Sequence, residues 1–273
     1  MSVNPKLRVL DIDIPTQPDA LVRLSLLLAE DEVDLIALAG LIEGDMALAA
    51  AVMKAVNSSL YGLKGRVQSV QQAITYLGTR EVTAITFEMG LRAAFPPAVE
   101  LDAVWQRAAL RGFIMGRLGQ RLSLDAWGAH SAGLFEECGK AVLFRHAADH
   151  YRSMLRAAVS DSELISLERI GFGVSHDALG AALCESWGLA PAAVASVRHH
   201  VGVHASLILP PELARRTICV LSGVAGVLMG TPERLEEVCA ALAPQADLDE
   251  TLLLRGARHV QEHLAAAADH ARA

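Results

Sequence analysis

Apolar residues in the first hundred positions recur three and four apart, the spacing of a helix that buries one stripe. Pro18 suits a first helical turn, and Leu21, Leu24 and Leu28 follow it in step. Asp34 is placed to cap a second helix with Leu35, Leu38 and Ile42 on one face. Asp45 is placed to cap a third, whose stripe is Leu48, Val52 and Val56 and whose end falls near Asn57. Ser69 and Gln72 have capping-box spacing ahead of Ala73, Ile74 and Leu77. Gly78 then stops that helix and Thr79 starts another. No window alternates with the period of a strand, and no repeat of fixed length is found. The pattern predicts an all-α chain.

Two proline pairs punctuate the rest. Pro96 and Pro97 cannot both sit inside a helix, so the stretch Ala93–Ala98 is the first expected boundary. A long helix is predicted over 104–122, with Leu110, Ile114 and Leu118 on one face, and further helices over 131–200. Pro210 and Pro211 mark a second break, and residues 212–273 read as three more helices, with Pro232 opening one. The expected divisions are therefore 1–98, 99–205 and 206–273.

Composition agrees with helices. Hydrophobic residues make up 52% of the 273, while aromatics are only 4%, so Ala, Leu and Val must supply the core. The net charge is −7. Divided at residues 100 and 205, the three parts carry −4, 0 and −3, so none is basic and phosphate-driven nucleic-acid binding is disfavoured. Cys138, Cys184, Cys219 and Cys239 form no CxxC pair and read as buried free thiols. No signal peptide is expected, because no apolar run follows the charges near the N-terminus. The most apolar segment, Thr217–Met229, contains two glycines and reads as a buried helix rather than a membrane span. The expected location is the cytoplasm, with no membrane contact.

Several stretches in order resemble one family. They are Ile14-Pro15, LIEGDMALAAAVMKAVNSSLYG from Leu41 to Gly62, and SVQQAITYLG from Ser69 to Gly78. The second half adds Trp105, GLFEECGKAVL from Gly133 to Leu143, and ERIGFGVSHDALGAALCESWGLAP followed by His199-His200. Over about residues 14–205 the chain resembles the HDOD family of helical output domains in bacterial signalling proteins. The resemblance implies two helical lobes, the second a degenerate relative of the HD-type metal phosphohydrolases. It also implies regulation through protein contacts.

The departures from the HD pattern carry the functional expectation. In HD enzymes the central dyad is His-Asp and holds a divalent cation; here those positions are Glu136 and Glu137. An upstream histidine ligand belongs near Trp105, but Gln106, Arg107 and Ala108 stand there, and the first histidine in the chain is His130. An arginine in that place puts a fixed positive charge where a cation must bind. Carboxylates can bind Mg²⁺ or Mn²⁺. Adjacent helical side chains point about 100° apart, however, so at most one of the two glutamates is expected to aim at a common point. The expectation is that one is solvated or paired with an arginine, with Arg107 the candidate. Arg107 and Arg111, one turn apart, are alternatively placed to face a phosphate.

Other candidates read as structural. His176-Asp177 spells the HD dyad but sits where a helix begins, with Ser175 or Asp177 as its cap and His176 a hydrogen-bonding residue. His199 and His200 are expected to close a helix, forming with His204 a polar rim, or a Zn²⁺ or Ni²⁺ site if a metal binds at all. Gly171–Gly173 reads as a turn, Asn57-Ser58-Ser59 as a helix end, and Tyr61 as packing. There is no GxSxG, Walker loop or GxGxxG after a strand.

The expected function is a non-catalytic regulator without cofactor or metal, bound to a signalling partner such as a kinase, a response regulator or a cyclic-nucleotide enzyme. The alternatives are a metal-dependent phosphohydrolase or phosphodiesterase with unusual ligands, and a nucleotide sensor that does not hydrolyse. The site positions are Arg107, Glu136 and Glu137, with Arg111, His176, His199 and His200 as possible ligand or partner contacts.

Overall fold

The structure is a computed structural model that describes residues 12–28, 34–58 and 67–272. Ser59 and Tyr61 lie outside the described residues. Every regular element among the described residues is helical. The chain divides into two compact units, one of Thr16–Phe95 with the end of the chain from Gln261, the other of Pro96–Val260 with the segment ending at Pro15.

The first unit contains α1 (Asp19–Leu28), α2 (Leu35–Glu43), α3 (Met46–Val56), α4 (Val70–Leu77) and α5 (Thr79–Ala93). Its caps are those the sequence predicts. Asp34 Oδ1 accepts from the Ile36 amide at 2.8 Å, and Asp45 Oδ1 from the amides of Ala47 and Leu48 at 2.9 and 3.0 Å. Ser69 Oγ accepts from the Gln72 amide at 3.1 Å, while Gln72 Oε1 reaches back to the Gln68 amide at 2.8 Å. Leu21, Leu24, Leu38, Ile42, Leu48, Val52 and Val56 are buried. Leu35, predicted on the buried stripe of α2, is exposed: it keeps register with Leu38 and Ile42 but stands at the first helical position, at the end of the stripe. Asn57 closes α3 and does more than cap it. Its amide Nδ2 donates to the carbonyls of Met53 and Val67 at 3.0 and 2.9 Å, and its Oδ1 accepts from the Val67 amide at 3.2 Å.

The second unit contains α6 (Val99–Arg121), α7 (Ala126–Phe135), α8 (Cys138–His146), α9 (Ala148–Ala157), α10 (Asp161–Phe172), α11 (His176–Ser186), α12 (Pro191–Ser206), α13 (Leu213–Gly230) and α14 (Leu235–Leu242). The last helix, α15 (Glu250–Arg272), begins here. α6 starts five residues before the predicted helix, with Pro96 and Pro97 just outside it. GFG is the end of α10 rather than a free turn: Gly171 and Phe172 are helical, and Gly173 caps the helix at φ 71°. His199 and His200 lie inside α12, which runs on to Ser206; they do not close it.

Residues 206–260 do not stand apart from 99–205. The Pro210-Pro211 loop is a tied turn, not a linker. Arg216 of α13 donates to the carbonyls of Pro210, Gln245 and Pro211 at 2.8, 2.9 and 3.0 Å, and Gln245 Nε2 donates to the Leu207 carbonyl at 3.0 Å. α13 then packs on α12, α6, α7 and α14, and Cys219, Val220, Leu221, Val224 and Ala225 are buried along it. At 18 residues it is longer than the predicted apolar segment and apolar enough to cross a membrane, with half of that span buried in the fold. All four cysteines are buried and free.

Small residues set the helix spacing that the site depends on. Gly112, Gly116 and Gly119 form a stripe on α6 against α7; an added Cβ would lie 3.1 Å from the His130 carbonyl oxygen, 3.1 Å from His130 Cβ and 3.0 Å from Ala126 Cα. At Gly139 an added Cβ would fall 1.9 Å from the His176 carbonyl oxygen, so α8 and α11 touch backbone to backbone. Gly139→Ala is therefore expected to destabilise the chain by about 2–3 kcal/mol. Gly202, inside α12 with open space around it, gives the opposite sign, and Gly202→Ala is expected to stabilise by roughly 0.5–1 kcal/mol. Chemical denaturation of the two variants measures both.

Candidate functional site

The corner between α7 and α8 is two residues long, and those residues are Glu136 and Glu137. Both are fully buried. A buried ionised carboxylate is costly unless it is paired and hydrogen-bonded, and the neighbouring helices supply what Glu137 needs. From α6, Arg111 Nη1 lies 2.8 Å from Glu137 Oε1, and Arg107 Nη2 lies 3.2 Å from Oε2. From α8, Lys140 Nζ donates to Oε2 at 2.8 Å and to Asp161 Oδ1, at the start of α10, at 2.7 Å. Arg111 and Lys140 are themselves almost entirely buried, whereas the Arg107 side chain is 44% exposed.

The arginine expected to pair with a glutamate does so, but it is the peripheral one. Arg111 is the centre. Its Nε lies 3.2 Å from Glu136 Oε2 while its Nη1 holds Glu137. The expectation that adjacent carboxylates cannot serve one point fails here for a geometric reason. They occupy a break between helices, and a planar guanidinium presents donors along more than one edge. Glu136 is finished differently from its neighbour: its Oε1 accepts from Ser196 Oγ of α12 at 2.6 Å.

The two acids consequently differ in charge preference. Burial opposes ionisation of Glu137, but Lys140, Arg111 and Arg107 overcome it and hold its carboxyl well below the ordinary range. Burial dominates at Glu136 and pushes its pKa up to about 7.

A second polar group adjoins this cluster. Glu168 of α10 accepts from the Tyr151 hydroxyl at 2.6 Å and from the His176 amide at 2.7 Å, and lies 2.8 Å from His176 Nδ1. Ser175 is the N-cap of α11, and Asp177 Oδ1 accepts from the Ala178 amide at 2.8 Å, so the literal His-Asp pair belongs to a helix start. His200 Nδ1 donates to the Val197 carbonyl at 2.8 Å, and its ring lies 5.5 Å from that of His176 and 5.8 Å from that of His204. His204 Nε2 donates to the Ser222 carbonyl at 3.0 Å. Burial keeps His200 and His204 neutral, the latter with its pKa lowered to about 4. His199 does not join them. It is partly exposed among Arg198, Glu212, Arg215 and Asp177. The rim expected of the three histidines is thus split: two are interior and one faces outward.

The donor set does not fit a divalent cation at the Glu136–Glu137 corner. The carboxylate oxygens of Glu137 are already held by three cationic groups of the chain, and a further positive charge beside Arg111 and Lys140 is disfavoured. Lys140, Asp161, Glu168, Tyr151 and Ser196 were not among the site positions expected. Lys140 alone carried a local signal, three residues after Glu137.

Glu137→Gln is expected to cost about 3–5 kcal/mol, because it leaves two buried cations under-compensated. Arg107→Gln is expected to cost no more than about 1 kcal/mol, since solvent already screens that side chain. Because the folded state holds the Glu137 carboxyl below its ordinary value, its stabilisation is present above that value and is lost as pH falls through the folded one. Urea melts of both variants and of the parent chain, across the acid range, measure these differences.

Comparison with known proteins places the scaffold. A Geobacter sulfurreducens HDOD domain protein of unknown function superposes with a TM-score of 0.71 at 19% identity, over 97% of this chain and 95% of that one. A Marinobacter aquaeolei VT8 protein, provisionally described as a signal transduction protein, gives 0.70 at 22% identity over 96% of this chain and 60% of that one. An uncharacterized protein of Treponema pallidum (strain Nichols) is 27% identical over 222 residues, 77% of this chain, which spans only 43% of that relative. The HDOD domain model matches residues 14–203, and the chain belongs to the HDOD family.

Proposed function

We propose that the chain is a non-catalytic regulatory protein of the HDOD family that acts through contacts with a signalling protein. The observation that supports this most directly is the charge matching at the Glu136–Glu137 corner, where the family resemblance puts the metal dyad of HD enzymes. Arg107, Arg111 and Lys140 neutralise Glu137 where an HD-type enzyme needs a cation and a metal-bound water. An arrangement of matched charges locks helices together; it offers no activated nucleophile. The provisional description of the Marinobacter relative as a signal transduction protein points the same way. A kinase, a response regulator or a cyclic-nucleotide enzyme would be a fitting partner.

One observation favours a second reading, a nucleotide sensor without hydrolysis. Arg107 keeps part of its guanidinium at the surface and is the one cation of the cluster able to meet an external phosphate. Calorimetry with a panel of nucleotides separates the readings, since a regulator working through protein contacts gives no nucleotide heat that Arg107→Gln abolishes.

The catalytic alternative has its own test. Full-length protein supplied with Mn²⁺, Mg²⁺ or Fe²⁺ is expected to turn over neither nucleotides nor cyclic dinucleotides above the rate of buffer. Turnover that disappears in Glu137→Ala would contradict the proposal.

A further inference from the structure

Glu136 is built unlike a permanent ion-pair member. It is fully buried, and its Oε2, although 3.2 Å from Arg111 Nε, makes no hydrogen bond. Its Oε1 is tied to Ser196 of α12, and Ser222 of α13 is close enough to favour its ionised form. The groups around it come from every neighbouring element. Arg111 of α6, Glu137 beside it and the Cys219 thiol of α13 act on it directly, and Arg107 of α6, Lys140 of α8, Asp161 of α10 and His200 and His204 of α12 act through Glu137. Both histidines are neutral. The charged remainder is three cations against Glu137, Asp161 and Glu136 itself, so the cluster is balanced with Glu136 ionised and carries one net positive charge with it protonated. Glu137 takes most of the cationic contact, and two adjacent buried acids sharing Arg111 do not ionise equally.

We propose that Glu136 is a proton-operated control point. Uptake of one proton from solvent turns its carboxylate into a carboxylic acid, leaves the cluster net positive, and changes the hydrogen bond that ties the α7–α8 corner to Ser196 of α12. Arg107, which shares Glu137 with Arg111, is the member of the cluster that reaches solvent. The inference rests on the reading that the chain's own cations fill this position. Burial places the change near neutral pH, at about 7.

Carboxyl ¹³C NMR of full-length, glutamate-labelled protein in EDTA, titrated from about pH 5.5 to about pH 8.5, tests this. Glu88 is also pushed up to about 7 by burial, so two titrating carboxyls are expected. Glu88→Gln removes one and Glu136→Gln the other, and the Ser196 and Ser222 amides follow the second midpoint and become pH-independent in Glu136→Gln. Ser196→Ala removes a donor to the carboxylate and moves that midpoint upward, a readout that survives if Glu136→Gln does not fold. The proposal is overturned if no titration in this range is lost with Glu136, if the two amides are flat in the parent chain, or if Ser196→Ala leaves the midpoint in place. Failure of the charge-filled reading shows separately, as metal-dependent turnover lost in Glu137→Ala.

Discussion

A buried carboxylate must find positive charge or give up its own. At the α7–α8 corner that constraint falls on Glu137, and the chain meets it with Arg111, Arg107 and Lys140. The Coulombic gain is large only because water is excluded, and for the same reason removal of any buried partner is severe. The contacts reach across α6, α8 and α10, so the ion cluster also fixes the relative placement of those helices. Glu136 extends the same node to α12 through Ser196.

Such charges can meet only where backbones come close. The glycine stripe on α6 lets α7 approach until Arg111 reaches both glutamates. Gly139, immediately after Cys138 in the same motif, lets α8 rest on the first turn of α11, where His176 and Glu168 form the neighbouring network. The GLFEECGK segment therefore unites two requirements, small residues for approach and charged residues for matching. In a metal enzyme the ion would serve as the bridge. Here Arg111, Lys140 and Asp161 bridge the helices by side-chain charge.

Much of the fold was legible because caps and stripes are local. Asp34, Asp45 and Ser69 act on amides two or three residues away, and the Leu48–Val52–Val56 stripe follows from helix periodicity alone. That no histidine precedes His130 was legible too, since it needs only the residue types. The assignment of the central role to Arg111 instead of Arg107 was not, because one helical turn separates them and only packing decides which is interior. Asp161 and Glu168 reach the site from α10 at sequence distances of twenty or more from Glu137, with no spacing to announce them. The Pro210-Pro211 break misled for a similar reason. Leu207 closes α12 ahead of the prolines, and Arg216 and Gln245 bind the loop to the body of the unit.

The account stands on the claim that side-chain cations, and no divalent ion, balance the glutamate pair. The most direct measurement is a calorimetric titration of EDTA-treated, full-length protein with MnCl₂, run beside Glu137→Gln. The account predicts no stoichiometric Mn²⁺ binding that depends on Glu137. One Mn²⁺ bound per chain in the parent protein and lost in Glu137→Gln would contradict it.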